Sequence, residues 1–113
     1  MKLLFFVLNK TELLDDLLSA FARNGIKGAT VIDSMGMARI LSTKHDDDEF
    51  FFLNSLRKFL NPEREKSNLI FTAIHEDQVS TAVETIEQIV GDLSSKDTGV
   101  VFTVPIDFAK GIM

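Results

Sequence analysis

Apolar positions along the chain change their period several times, and each change marks an element. Leu3 to Leu8 (LLFFVL) is a short, unbroken apolar run bounded by polar residues, the pattern of a strand apolar on both faces. From Thr11 the spacing becomes helical. Leu14, Leu17, Leu18 and Phe21 fall on one face, with Thr11 placed to cap the start. Glu12, Asp15 and Asp16 lie towards the positive N-terminal end, Arg23 lies near the C-terminal end, and Asn24-Gly25 supplies a left-handed stop. Ala29 to Asp33 (ATVID) is β-branched between Gly28 and Ser34 and reads as a second strand, expected to resume across Met37 to Leu41.

Between Ser42 and Lys66 the periodicity breaks up, as it does in a long functional loop, with a short helix expected over Asn54 to Leu60. Leu69 to Ile74 (LIFTAI) is a third strand. His75-Glu76-Asp77 then opens a helix whose apolar residues Val79, Ala82, Val83, Ile86 and Ile89 recur at three- and four-residue steps until Gly91. After the polar connector Asp92 to Asp97, Gly99 to Val104 (GVVFTV) is a fourth strand, stopped or bent at Pro105.

The order β-α-β, long loop, β-α-β predicts an α+β chain of the ferredoxin-like kind, with a four-stranded antiparallel sheet and both helices on one face. The 113 residues form a single domain of 1–113, with the loop at about 42–66. Two helices cover one sheet face, yet strands one, three and four are apolar at successive positions, so the second face also needs cover. At about 25 cal/mol per Å², leaving several hundred Å² wet forgoes several kcal/mol. Self-association meets that need, and a monomer covered by its own loop is the alternative.

Charge and composition narrow the function. With 17 acidic and 12 basic residues the net charge is -5 and the basic residues do not cluster, which disfavours nucleic acid. The absence of Cys removes thiol nucleophiles, thiolate metal sites and disulfides, and fits a reducing cytoplasm, the expected location. The six-residue apolar run near the start is too short for a signal-peptide core or a membrane span, so no membrane insertion is expected.

Candidate chemistry is sparse. His45 to Glu49 offers four carboxylates and an imidazole in five positions, but lacks the alternating ligands and central Gly of a calcium loop, so no metal site is assigned there. A solvated acidic loop is the plainer reading. His75, between a strand and a helix, reads as a polar edge residue. Phe50, Phe51 and Phe52 cannot all face one core in a regular conformation. They contact a partner, pack on a neighbouring subunit, or belong to a buried strand. No nucleophilic triad is present, and the glycines form neither a dinucleotide fingerprint nor a P-loop, so no enzyme activity is expected. Gly36 and Gly99 flank strands, where bare backbone N–H groups could receive an anion or a tight turn could require glycine.

The residues resemble the P-II nitrogen regulatory proteins, most strongly over Leu14 to Arg39, within LLDDLLSAFARNGIKGATVIDSMGMAR. That string is similar to the family's first helix, its strand entry and its glycine-arginine loop base, with Ala38 in place of a second Gly. DTGVVFTVPID is similar to a later family strand. The resemblance implies a homotrimeric signalling protein whose subunit clefts sense a small molecule and whose long loop controls a partner enzyme or transporter. Relatives bind adenine nucleotides, ATP or ADP, in those clefts. Carried over, the ligand-binding positions are Gly36, Met37, Arg39, Ile70, Asp97, Thr98 and Gly99, and the long loop is the partner-contacting element, within which the run Phe50, Phe51 and Phe52 supplies the expected contacts.

Departures from the family pattern are specific. Val100 stands where the family has Lys, Ile40 where it has Gln, and only Lys110 remains near a C-terminal basic pair, so phosphate contacts are depleted. The lack of Tyr excludes tyrosine nucleotidylation. Two other readings compete: a cation-tolerance-type metal binder of the same trimeric plan, using the 45–49 run, and a small hydrolase.

Overall fold

A computed structural model describes residues 1–37, 40–41, 66–95 and 98–112. Within them run β1 (Lys2–Leu8), α1 (Leu14–Arg23), β2 (Thr30–Ser34), β3 (Ser67–Ile74), α2 (Val79–Val90) and β4 (Gly99–Pro105). The four strands form one sheet in the order β2-β3-β1-β4, with every neighbouring pair antiparallel. This is the ferredoxin-like βαββαβ arrangement, in which β3 returns between β1 and β2 so that two helical crossovers share one sheet.

Strand alternation assigns the faces. Leu4, Phe6 and Leu8 of β1 are fully buried and share a core with Ile70 and Ile74 of β3, Leu17 and Phe21 of α1, and Ala82, Ile86 and Val90 of α2. Alternate residues of a strand point to one side, so both helices lie on that side. The apolar stripe of α2 is centred on Ala82, Ile86 and Val90, with Val79 and Ile89 at its margins. Thr85 occupies a buried position within it, its hydroxyl donating to the Thr81 carbonyl at 2.7 Å.

Element ends show how local chemistry sets the boundaries. At the close of α1, Gly25 has φ +88°; its N–H donates to the Ala22 carbonyl at 3.2 Å, and the Ile26 N–H donates to the Phe21 carbonyl at 2.9 Å. This paired closure is a Schellman motif, completed by burial of Ile26 in the cluster that holds Phe21. The Asn24 side-chain amide adds a 2.8 Å bond to the Ala20 carbonyl. At the start of α2, Gln78 ties back to His75: its N–H donates to the His75 carbonyl at 2.9 Å and its Oε1 accepts the His75 N–H at 2.9 Å. His75 therefore belongs to a helix start.

The structure departs from the sequence pattern at three places. Thr11 does not cap α1: it opens a 3-10 turn, Thr11–Leu13, and neither Lys10 nor Leu13 makes a side-chain cap bond. The second strand does not resume at the described residues of the Met37 to Leu41 stretch. Met37, Ile40 and Leu41 are helical, and the Ile40 N–H donates to the Gly36 carbonyl at 3.1 Å. The β-branched character that carries Thr30 to Ile32 stops at Asp33, and Met, Ala, Arg and Leu after it favour a helix. Strand three begins two residues earlier than its apolar run, because Ser67 and Asn68 pair with Ser34 and Asp33. The short helix anticipated over 54–60 lies outside the described residues.

Candidate functional site

The sheet face opposite the helices is the most distinctive surface among the described residues. Its β1 residues are Leu3, Phe5 and Val7, and the register places Leu69, Phe71 and Ala73 of β3 and Val100, Phe102 and Val104 of β4 beside them. Thr30 and Ile32 of β2 extend the surface beside Phe71 and Leu69. Among these strands' residues on this face, none is ionisable.

One row across the sheet carries three phenyl rings. Phe5 stands opposite both Phe71 and Phe102, with ring centroids 6.2 Å from Phe71 and 5.0 Å from Phe102, the latter pair stacked at 22°. Cross-strand aromatic pairs of this kind stiffen the sheet by about 0.5–1.5 kcal/mol each. Exposure is greatest at the edges. Val100 is 53% exposed, Phe102 48% and Ile32 46%, while the side chains of β1 and β3 on this face are half-buried.

The second place of interest is the sheet end from which the long loop departs. A single transverse row, Asp33–Asn68–Leu8–Gly99, crosses all four strands there. Gly36 and Met37 follow β2 at one edge, and Thr98 and Gly99 enter β4 at the other. Three inter-strand steps separate the two edges, roughly 14 Å at about 4.8 Å per step. A single chain therefore does not bring Gly36 and Met37 together with Thr98 and Gly99. Ile70 lies elsewhere, mid-strand and fully buried on the helix-covered face. Arg39, Asp97, Phe50, Phe51 and Phe52 lie outside the described residues, as does the acidic run 45–49.

The two glycines differ in what the fold asks of them. Gly99 has φ +135°, and a Cβ there would sit 2.8 Å from the Phe6 ring and closer still to the Val7 carbonyl oxygen. Its lack of a side chain is thus demanded by the chain's own packing. Gly36 has no such constraint: a Cβ would meet nothing within 4 Å. Met37 beside it is 70% exposed.

Polar chemistry near this end is local. The Ser34 and Ser67 hydroxyls hydrogen-bond at 2.9 Å, and the Asn68 amide donates to Asp33 Oδ1 at 3.2 Å, joining β2 to β3 where the loop leaves. In the connector, the Ser94 hydroxyl and N–H both donate to Asp92 Oδ1, at 2.7 and 2.9 Å, and hold its carboxyl below the ordinary value. Thr98 is buried, and its hydroxyl donates to the Ser95 carbonyl at 3.0 Å. Lys10 Nζ donates to the Val90 carbonyl at 3.4 Å, placing a cation at the C-terminal end of α2.

Among the described residues no group of three His, Asp or Glu side chains is arranged to hold a metal ion. Among them, too, no helix is long and apolar enough to cross a membrane. The unbroken apolar runs of β1, β3 and β4 already implied an apolar second face. What the sequence alone did not reveal is the alignment of Phe5, Phe71 and Phe102, because register is a property of pairing; a phenyl group near the middle of each of three predicted strands was the available signal. No protein-family model matches this chain, and a search of curated proteins finds no match to it.

Proposed function

We propose that this chain is a P-II-like regulator without catalytic activity, acting in the cytoplasm as a homotrimer that senses a small molecule between subunits and signals to a partner protein through the loop at 42–66. The observation that carries the reading is the uncharged apolar sheet face, whose exposed edges hold Ile32 on one side and Val100 and Phe102 on the other. Such a surface is far more stable against another apolar surface than against water. A second copy offers one of matching character, and a closed ring brings the β2 edge of one subunit to the β4 edge of the next.

That assembly also accounts for the separation of the candidate ligand residues. Gly36 and Met37 sit at one edge and Thr98 and Gly99 at the other, so a cleft formed by all four needs two subunits. Arg39 is the proposed anion contact, Gly36 and Gly99 the points of close backbone approach, and Phe50 to Phe52 the partner-contacting residues. Occupancy would act by favouring one state of the loop over another. The same fold uses sheet aromatics to stack bases in some RNA-binding modules, but phosphates need cations, and the open face of these strands carries none.

Two measurements test the proposal. Sedimentation equilibrium at micromolar concentration should give about three times the chain mass of 12.6 kDa, and a mass near one chain refutes the assembly. A thermal-shift panel of ATP, ADP, AMP, cyclic nucleotides and small carboxylates then tests ligand binding. At least one compound should raise the melting temperature, and Arg39→Ala should abolish the shift if that compound is an anion. The absence of any shift removes the sensing role for these compounds.

A further inference from the structure

We draw no further inference here: the strongest candidate outside the sheet face already described, the exposed apolar patch of Phe108 and Ile112 in the segment beyond β4, is unpartnered, and nothing in the structure shows what covers it.

Discussion

Replacing Phe102 with Asp separates assembly from folding. Phe102 is 48% exposed in the single chain, and a phenyl side chain offers about 200 Å², so close to 100 Å² remains for a neighbouring subunit to cover. At about 25 cal/mol per Å² that area is worth ~2.5 kcal/mol per subunit, or roughly a 60-fold weakening of each contact. A carboxylate placed in an apolar interface adds a desolvation penalty of several kcal/mol unless it finds a partner. The isolated fold loses the other half of the ring's area, about 2.5 kcal/mol by the same coefficient, but buries no charge, because position 102 is open to water in the single chain. The ring loses its stacking on Phe5, centroids 5.0 Å apart, worth about 1 kcal/mol.

Sedimentation equilibrium at micromolar concentration should therefore show Phe102→Asp near one chain mass, while circular dichroism retains a cooperative melt. Glu84→Gln, an exposed position on α2 away from the sheet, should leave the mass of the assembly unchanged. If Phe102→Asp sediments with the same mass as the parent protein, this face is not the interface, and the reasoning from apolar exposure to self-association is wrong.

Three further outcomes follow from the backbone and the connector. Gly99→Ala forces a side chain into the Val7 carbonyl and the Phe6 ring at φ +135°, so strain and overpacking together should cost about 3 kcal/mol or more, read as a fall in melting temperature of about 12 °C or more. Gly25→Ala places a side chain at φ +88° with open space around it, so only the backbone penalty applies, about 1 kcal/mol by denaturant titration; a loss as large as that of Gly99→Ala would contradict the distinction. Ser94→Ala removes one of the two donors to Asp92, so carbon-detected NMR titration should show the Asp92 value rising towards the ordinary 3.8. The depressed folded-state value means that this contribution to stability is present above the unfolded value and lost as pH falls through the folded one. The mutant should therefore lose stability less steeply below pH 3.8.

Much of the fold was legible in the chain because its signals are local. Period-two and period-3.6 patterns survive without knowledge of the partner, so both main helices and all four strands were readable, and Asn24-Gly25 announced the stop of α1 through its backbone preference. Failures occurred where a local preference was outcompeted. A threonine ahead of an apolar stripe suggested a cap, but a 3-10 turn at Thr11–Leu13 carries the chain into α1 instead. The polar pair Ser67-Asn68 gave no strand signal, because it is ordered by pairing with Ser34 and Asp33 across the sheet. The candidate site was less legible, since the chain names Gly36 and Gly99 but does not state the distance between them.

By itself the sequence determined the element order, the presence of a surplus apolar sheet face, and an acidic, cysteine-free chemistry with no nucleophilic motif. These follow from side-chain type and spacing, which need no coordinates. Only the tertiary structure decided that Phe71, Phe5 and Phe102 lie in one row, that Gly99 answers to Phe6 and Val7 within its own chain, and that Gly36 and Gly99 stand at opposite edges of the sheet. Register and strand order bring residues distant in sequence into contact, and no local pattern encodes the distance between two edges of a sheet.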